Sequence, residues 1–370
     1  MKNFIILLTH FVLQNQWITI TAHAPDFGKS PCMYAGDFDK YGTYCAQTPM
    51  PLEELPDECT SLVYDGIIYG PNDEKKFSFQ DTETINSLNG SGKPLILYYG
   101  YTTQKLWINA VDPANAQKEA IKLTGDTAEY TISGLVLTKL NYDFTNKKLD
   151  FHYNESFYEN LVEFVCLLKS NHSDWSIGLY VSARNMIYYH EEDPCSTDKF
   201  DFSILNKAFD FYVIGFELFN PCNNIFKQGI VPMTNVFRSK FSLQTLEVVL
   251  SDTDMDTDQI YLEFKAMPTK NETSKEELPK CCLTFKKFCE GDHYNTYWCA
   301  DNAAAYYSKG QFAKKIGAKG FITKYIDTID PTVKCKCNND KFITFAMMLR
   351  GFLDQDPITD CEKLNSISLT

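Results

Sequence analysis

Six cysteines cluster between positions 281 and 337, and they are the residues whose spacing most directly raises a chemical question. Cysteine thiolates bind zinc, but structural zinc sites favour CxxC pairs, and these six offer only a Cys-Cys pair, a Cys-x-Cys pair and isolated cysteines. In an oxidising compartment such residues form disulfides instead. We therefore predict disulfides and no metal site. The six are Cys281, Cys282, Cys289, Cys299, Cys335 and Cys337.

Other residue patterns that carry catalysis are missing from the sequence. His152, His172 and His190 lack the i, i+4 spacing by which one helix presents two imidazoles to a metal ion. The sequence contains no Gly-x-Ser-x-Gly nucleophile elbow and no glycine-rich phosphate loop. We predict no cofactor.

The total of thirteen cysteines is odd, so at least one thiol is unpaired or bridges to another chain. Cys166 lies in a segment of helical period, 155–169, and projects away from its apolar face. We predict that Cys166 is unpaired or links to a partner, although a disulfide within the chain remains an alternative. The apolar face consists of Phe157, Leu161, Phe164, Val165 and Leu168.

The first 24 residues have the pattern of a secretory signal peptide. Lys2 supplies a positive start, the apolar run FIILLTHFVL follows at 4–13, and residues 22–24 (AHA) form a small-x-small cleavage pattern. No later apolar run approaches the ~20 residues that span a bilayer. We therefore expect a secreted, extracellular glycoprotein. Its four N-glycosylation sequons begin at Asn89, Asn154, Asn171 and Asn271.

Composition and charge exclude two broad classes of function. The 370 residues are 44% hydrophobic and 14% aromatic, which is ample for a packed core and excludes a disordered chain. The formal net charge of −13 argues against nucleic acids and anionic membrane surfaces as partners, because polyanions repel an acidic protein. Membrane insertion is not expected, because no apolar run after the first 24 residues is long enough to span a bilayer.

Short apolar runs alternate with helical stretches along the chain, which is typical of βαβ units and a parallel sheet. Eight runs favour a closed (β/α)8 TIM barrel over an open sheet. No linker divides residues 25–370, so we predict one domain there, with a short cysteine-rich insertion at 268–300 after the seventh strand. The predicted strands are 32–35, 61–69, 94–101, 133–140, 176–182, 210–219, 259–264 and 319–326, and the predicted helices include 112–123, 155–169, 301–316 and 340–353.

Five segments resemble strands of the family 18 glycoside hydrolases, the chitinases, in the same order and at similar spacing. The segments CMY at 32–34 and CTSLVY at 59–64 resemble the first two strands. KPLILYYGY at 93–101 is similar to the third, DFYVIGFE at 210–217 to the sixth, and GFITKYIDTID at 320–330 to the eighth. The resemblance covers about 32–353, and it implies the same barrel and a disulfide between Cys32 and Cys59.

The fourth strand of that family carries Asp-Gly-x-Asp-x-Asp-x-Glu, with its last two Asp and its Glu facing the barrel mouth. The Glu protonates the glycosidic oxygen, while an Asp stabilises the intermediate formed by the substrate's own N-acetyl group. An ungapped alignment places Val136 and Thr138 at the two inner Asp positions and Leu140 at the Glu position. Because leucine has no proton to donate and valine no charge, the resemblance implies an inactive protein without catalytic residues.

Three more positions depart from the family pattern. Phe216 replaces the Tyr that holds the N-acetyl oxygen, Glu217 replaces its Asp neighbour, and Lys324 replaces the Trp that forms the floor of the central sugar site. An alignment shifted by three residues matches 140–143 (LNYD) to the family's Leu-Asp-Trp-Glu and makes Asp143 the acid. That shift breaks the register of the preceding residues, and aspartate reaches less far than glutamate.

The resemblance favours a secreted, catalytically inactive chitinase-like protein that binds a glycan or an extracellular protein, as a lectin, a signalling factor or a host-modulating factor. One alternative is an active glycoside hydrolase that uses Asp143 or Glu217. Another is an inhibitor or scaffold whose sugar cleft is vestigial. The candidate ligand-binding residues are Tyr98, Tyr99, Tyr101, Trp107, Asp143 and Glu217, although at least half of the four aromatic side chains are expected to pack in the core or rim.

Overall fold

A computed structural model describes residues 25–36, 50–70, 75–77, 82–140, 153, 155–195, 199–226, 229–270, 284–290, 298–330, 332–338 and 340–365. Eight parallel strands form one sheet, and each strand overlaps one of the eight apolar runs predicted from the sequence. The strands are β1 (Cys32–Tyr34), β2 (Leu62–Tyr69), β3 (Leu95–Tyr101), β4 (Gly134–Thr138), β5 (Ser176–Ser182), β6 (Phe211–Gly215), β7 (Ile260–Lys265) and β8 (Gly320–Lys324).

The sheet closes into a barrel because β1 pairs on both of its sides. Met33 is opposite Val63 of β2 on one side and opposite Lys324 of β8 on the other. From β2 to β8, each strand pairs in parallel with the next one along the chain. The predicted (β/α)8 barrel is confirmed. A short strand, Lys75–Phe77, adds antiparallel to the end of β2.

Helices follow the strands, and three of the four predicted ones lie where expected. The fourth, predicted at 112–123, begins later because a separate helix precedes it. That helix is capped by the Thr103 side chain and ends at Val111, and Pro113 holds the intervening Asp112 extended. The helices are α1 (Thr82–Gly90), α2 (Gln104–Val111), α3 (Ala116–Thr127), α4 (Glu155–Asn171), α5 (Ala183–Glu191), α6 (Phe202–Leu205), α7 (Leu243–Ser251), α8 (Phe285–Glu290), α9 (Ala303–Lys315), α10 (Ile343–Phe352) and α11 (Glu362–Asn365), with 3-10 turns at Leu52–Glu54, Thr257–Gln259 and Ile326–Thr328.

Alternation along the strands divides the apolar side chains into two cores. One face of each strand points into the barrel and forms an inner core that includes Ile96, Val136 and Val213. The other face packs against the helices and forms an outer core, to which β4 contributes Leu135 and Leu137. Membership of the inner or outer core therefore decides which residues can reach a site inside the barrel.

Phe27 fills the N-terminal end of the barrel. Its buried ring meets the ring of Phe211, at the start of β6, edge-on with centroids 5.4 Å apart. The Phe27 carbonyl accepts hydrogen bonds from the hydroxyls of Thr60 at 2.7 Å and Ser61 at 3.1 Å, just before β2. Open space therefore lies at the opposite end, where the strands terminate and where barrel proteins build their sites.

Four disulfides connect cysteines of the described part of the chain. The Cys32–Cys59 disulfide implied by the resemblance is present, and the four described members of the cysteine cluster are disulfide-bonded as predicted. Cys166 and Cys195 are exposed, and neither has a disulfide partner within the described residues. The disulfides are Cys32–Cys59, Cys222–Cys299, Cys289–Cys335 and Cys337–Cys361.

The cysteine-rich insertion after β7 contains two short antiparallel strands, Thr269–Lys270 and Trp298–Cys299, and helix α8. None of the helices that the structure describes is long and apolar enough to cross a membrane. Two sequon asparagines lie on helices, Asn171 exposed at the end of α4 and Asn89 partly buried in α1. Predictions that fall outside the described residues concern the signal peptide at 1–24, Asp143, His152, Asn154, Asn271, Cys281 and Cys282.

Candidate functional site

Two adjoining clefts of about 520 and 570 Å³ open at the C-terminal ends of the strands. Glu217, Leu218, Lys324 and Tyr325 line both clefts, so we treat them as one site and call it the mouth cleft. Cavities of this size accommodate small-molecule ligands. Six of the barrel strands each contribute a lining residue, namely Asp65, Tyr98, Thr138, Tyr180, Glu263 and Lys324.

A buried ion pair forms the floor of the mouth cleft. Lys324 Nζ lies 3.2 Å from Glu263 Oε1, and their side chains are only 15% and 2% exposed. The Tyr98 hydroxyl donates a hydrogen bond to the other oxygen of the same carboxylate. Burial raises the pKa of Glu263. Burial also opposes the charge of Lys324, but Glu263 and other anionic neighbours outweigh it and hold the pKa of Lys324 well above its usual value. Lys324 is therefore a fixed cation at neutral pH.

Asp65, on β2, is the second carboxylate that points into the cleft. The Tyr325 hydroxyl, just after β8, donates a hydrogen bond of 2.9 Å to Asp65 Oδ2. Burial raises the pKa of Tyr325 well above its usual range, so this hydroxyl stays protonated and remains a donor. Asp65 and Glu263 are thus each held by a tyrosine hydroxyl.

Glu217 is the third carboxylate, and it is exposed on the segment after β6. The charge of Lys324 lowers the pKa of Glu217, and the charges of Lys139 and Lys265 add to the lowering. A general acid must instead hold its proton near the working pH. The surroundings of Glu217 therefore favour a permanent anion over a proton donor.

The end of β4 corrects the expected placement of Leu140. Val136 lies in the inner core and Thr138 lines the mouth cleft, as alternation predicts. The strand then stops, because Lys139 adopts a left-handed conformation with φ of 64°. This turns Leu140 away from the mouth into the outer core, where it is fully buried. Leu140 therefore lies outside the position that an inward-facing acid would occupy.

Three of the four aromatic candidates also lie away from the mouth cleft. Tyr99, Tyr101 and Trp107 are buried in the outer core, with Tyr101 and Trp107 ring centroids 5.0 Å apart. The Tyr101 hydroxyl donates to Glu119 at 2.6 Å, and Trp107 Nε1 donates to the Thr138 carbonyl at 2.9 Å. These residues pack β3 and β4 against the helices. The sequence analysis expected such packing for at least half of the four aromatic side chains. Tyr98 alone of the four reaches the inner face.

Phe216 contacts both the outer core and the mouth cleft. It is almost fully buried, and its ring stacks on Phe264 with centroids 5.1 Å apart in the outer core. It also lines the larger part of the mouth cleft. It offers no hydrogen-bonding group there.

Sequence reasoning missed Asp65, Tyr180, Glu263 and Tyr325. A signal existed for two of them, because Asp65 and Glu263 interrupt apolar strands two residues after the inward-facing Val63 and Tyr261. Their partners lie on other strands, and no local pattern reveals those pairings. Among the described residues no group of three His, Cys, Asp or Glu side chains is arranged to hold a metal ion.

No protein-family model matches the sequence, and comparison with curated protein sequences gives no match. Comparison with solved structures does. Catalytic domain 2 of the Group II chitinase from Ostrinia furnacalis matches with a TM-score of 0.67 and 13% identity, over 91% of this chain and 99% of that one. The chain has a chitinase-like fold.

Both catalytic and non-catalytic proteins share this chitinase-like fold. Human YKL-39, described as a pseudo-chitinase with retained chitooligosaccharide binding properties, matches with a TM-score of 0.61 and 12% identity over 88% of this chain and 99% of its own. TsES1 from Trichuris suis, an immunomodulatory active chitinase, matches at 0.63 and 12% over 88% and 100%. At these identities the likeness establishes the fold, and function has to be argued from the residues of the mouth cleft.

Proposed function

We propose that this chain is a secreted, catalytically inactive chitinase-like protein that acts by binding a ligand in the mouth cleft. The observation that carries the proposal is the inward face of β4. Val136 and Thr138 stand there, and neither side chain supplies a proton or a negative charge. General acid catalysis contributes about 10²–10⁴-fold to rate, so its loss together with that of the charge stabiliser removes useful turnover.

The carboxylates that do line the mouth cleft are poorly suited to replace the missing acid. Asp65 accepts a hydrogen bond from the Tyr325 hydroxyl. Burial raises the pKa of Glu263, but one of its oxygens is paired with Lys324 and the other accepts a hydrogen bond from Tyr98, so both are occupied within the protein. The pKa of Glu217 is lowered by Lys324, which opposes proton donation. Asp143, the remaining candidate, lies outside the described residues and has to be tested by substitution.

Binding is favoured over a vestigial cleft by the open space at the barrel mouth. A vestigial site would be filled by the replacing side chains, yet Leu140 is turned into the outer core and the two parts of the cleft retain about 520 and 570 Å³. The lining combines apolar side chains with charged groups and hydroxyls, among them tyrosine hydroxyls and lysine ammonium groups. Such a lining is better suited to a hydroxyl-rich or charged ligand than to a protein side chain that fills the cleft.

An extracellular location fits the covalent chemistry of the chain. Four disulfides join described cysteines, and disulfides persist in oxidising compartments. The signal-peptide pattern at 1–24 and the four sequons favour the same compartment. We therefore propose that the mature protein is an extracellular glycoprotein.

Hydrolysis of a fluorogenic chitotrioside between pH 4 and 8 tests the proposal. Wild type, Asp143→Ala and Glu217→Gln are assayed beside a catalytically active chitinase at matched concentration. We expect no turnover by the wild type or by either variant. Turnover by the wild type that Asp143→Ala abolishes would establish the shifted fourth-strand register, and turnover that Glu217→Gln abolishes would establish a rearranged active site.

A further inference from the structure

The two parts of the mouth cleft differ in the chemistry of their linings. Among the described residues, six of the thirteen that line the smaller part carry a hydroxyl group. In the same described portion of the chain, the larger part is lined by five apolar side chains and by two that carry a hydroxyl, Thr269 and Tyr325. The mouth cleft as a whole is therefore amphiphilic. The apolar residues of the larger part are Phe216, Leu218, Pro221, Ile230 and Met267.

The charged side chains of the lining already interact within the protein. Lys324 is paired with Glu263, and Arg184 Nη1 donates a hydrogen bond to the Leu218 carbonyl oxygen at 3.1 Å. Because such interactions compensate the charges, the lining does not require a charged ligand. What it offers to a ligand is hydroxyl groups and apolar surface. Further charged residues of the lining that interact within the protein are Asp65, Lys265 and Lys270.

Leu218 lies where the two parts of the cleft meet, because it lines both of them. Its side chain is 68% exposed, and its backbone adopts a left-handed conformation with φ of 52°. This conformation is unfavourable for a residue with a Cβ and persists only where surrounding contacts hold it. The hydrogen bond from Arg184 to the Leu218 carbonyl is one such contact. The protein thus holds an apolar side chain open to the cleft, where a ligand with an apolar group can cover it.

The segment that carries these apolar side chains is fixed in place. Asn220 Nδ2 donates hydrogen bonds to the carbonyl oxygens of Ile230 at 2.9 Å and Phe241 at 2.8 Å. The Cys222–Cys299 disulfide joins the same segment to the cysteine-rich insertion. A binding surface that is already ordered loses little conformational entropy when a ligand arrives. The apolar side of the cleft is therefore preformed.

Tyr180 adds a hydrogen-bonding group in the smaller part of the cleft. Its side chain is only 7% exposed, and its hydroxyl oxygen is buried with no hydrogen-bond partner among the described residues. Gly215 makes the space for this hydroxyl, since a Cβ at that position would lie 1.9 Å from it. Thr102 Oγ1, in the same lining, also has no hydrogen-bond partner among the described residues. Buried hydroxyls are normally satisfied, so both suit a ligand that supplies hydroxyl groups.

We propose that the mouth cleft binds a neutral amphiphilic saccharide, with its sugar at Tyr180 and Thr102 and an aliphatic chain along Leu218 in the larger part. The proposal rests on the proposed binding function and specifies its ligand class. Sugar hydroxyls both donate and accept, which suits the hydroxyls of Tyr180 and Thr102. An aliphatic chain gains free energy by leaving water for an apolar surface. Because the two parts share some of their lining, one molecule can occupy both.

Calorimetry with matched pairs of soluble glycosides tests the ligand class. The methyl and hexyl β-glycosides of glucose, galactose and N-acetylglucosamine differ only in chain length within each pair, and 1-hexanol supplies the chain without a sugar. Each buried methylene is worth roughly fourfold in affinity. For the sugar that binds best, we expect the hexyl glycoside to bind at least about thirtyfold more tightly than the methyl glycoside or hexanol.

Three results overturn this ligand class. The first is a set of pairs in which the hexyl chain brings no gain in affinity. The second is hexanol that binds as tightly as the best hexyl glycoside. The third is a protein that binds neutral vesicles carrying a glycolipid but binds no soluble glycoside, because the occupant would then be a membrane surface instead of a single molecule.

Leu218→Asn tests the position of the chain. Asparagine tolerates the left-handed conformation better than leucine, so the melting temperature should stay the same or rise. We expect the affinity for the hexyl glycoside to fall about tenfold while that for the methyl glycoside is unchanged. Ile121→Gln is the matched control, because Ile121 is 59% exposed on α3, outside the lining. An equal loss in the control, or unchanged hexyl affinity in Leu218→Asn, refutes the assigned position.

Tyr180→Phe tests the position of the sugar. Because the hydroxyl has no hydrogen-bond partner in the described part of the protein, its removal should leave the melting temperature unchanged. We expect the affinity for the methyl and the hexyl glycoside to fall by the same factor, about fivefold. Unchanged affinity for both removes Tyr180 from the site. Hydrolysis of chitotrioside would refute the proposed function, whereas glycoside binding without a gain from the chain would refute only the amphiphilic ligand class.

Discussion

Lys324 and Glu263 place opposite charges on neighbouring strands inside the barrel, where each charge is tolerated because the other is present. Their side chains are 15% and 2% exposed, so neither has much access to water. The attraction within such a pair roughly offsets the cost of removing both charges from water, whereas a single unpaired charge is strongly destabilising. Replacing only one residue of the pair should therefore destabilise the protein more than replacing both.

We expect Lys324→Met to lower the free energy of unfolding by about 3–5 kcal/mol, because it leaves Glu263 buried without its cation. The double variant Lys324→Met with Glu263→Gln should recover much of that loss, since no charge is then buried. Lys139→Met, at the exposed end of β4, is the control and should change stability little. Denaturant unfolding measures all three. A double variant less stable than Lys324→Met would refute the claim that the two buried charges compensate each other.

Asp327 gives the barrel a pH-dependent contact near the closing strand. Its carboxylate accepts hydrogen bonds from the backbone N–H groups of Ala35 at 2.9 Å and Gly36 at 3.1 Å, directly after β1. Burial raises the pKa of Asp327 from 3.8 to about 7 despite these hydrogen bonds. Since the folded-state pKa is the higher one, the associated stability is complete below about pH 4 and is lost as the pH rises through 7.

The expected result is a melting temperature that falls more steeply between pH 5 and 8 in the wild type than in Asp327→Asn, whose side chain does not titrate. Thermal unfolding at a series of pH values measures this difference. Parallel curves for the two proteins would show that Asp327 keeps an ordinary pKa in the folded state.

At the scale of elements, α9 and α10 pack with their backbones in near contact through two glycines. A Cβ on Gly310 would lie 1.9 Å from the Met348 carbonyl oxygen, and a Cβ on Gly351 would lie 2.1 Å from that of Tyr307. Backbone atoms cannot yield as a flexible side chain does, so any larger residue forces the helices apart. The close approach in turn fixes how α9 lies against the barrel.

We expect Gly310→Ala to destabilise the protein by about 1–3 kcal/mol, although alanine is the better helix former. The matched control is Gly125→Ala in α3, where an added Cβ meets nothing within 4 Å and should raise stability by up to about 1 kcal/mol. Chemical denaturation of the two variants compares them directly. Equal effects at both glycines would refute the packing argument.

Strand alternation predicted much of the fold, and its limits explain why parts of the site were missed. Apolar runs placed all eight strands, because barrel strands are buried on both faces. Alternation also assigned Val136 and Thr138 to the inner face. It misplaced Leu140, because one left-handed residue, Lys139, ends the strand and turns the next side chain outward. A lysine in the sequence does not predict a left-handed backbone conformation.

The composition of the site was harder to predict than its position. The tyrosines at 98, 99 and 101 looked equivalent in sequence, yet Tyr98 faces inward while the other two pack outward. The partners of Glu263 come from β3 and β8, so its environment depends on how distant strands meet around the barrel. Such pairings follow from the closed topology, which a single strand pattern does not encode.

At the scale of the molecule, an N-linked glycan at Asn171 is compatible with the fold. This asparagine is exposed at the C-terminal end of α4, and α4 lies outside the barrel. We expect the protein secreted from eukaryotic cells to lose mass on enzymatic removal of N-glycans. Asn171→Gln and Ser173→Ala should each lower the glycan mass by one chain, as measured by mass spectrometry of the intact protein. Unchanged mass in both variants would show that this sequon is unused.

The three-residue strand β1 has a consequence for how the chain acquires its structure. It pairs with β2, about thirty residues away, and with β8, about 290 residues away. During synthesis the second pairing has to wait until β8 has left the ribosome, and contacts between such distant segments form slowly. The Cys32–Cys59 disulfide can form long before that and hold β1 beside β2. The growing sheet would then present its open edge at β1, ready for β8 to arrive.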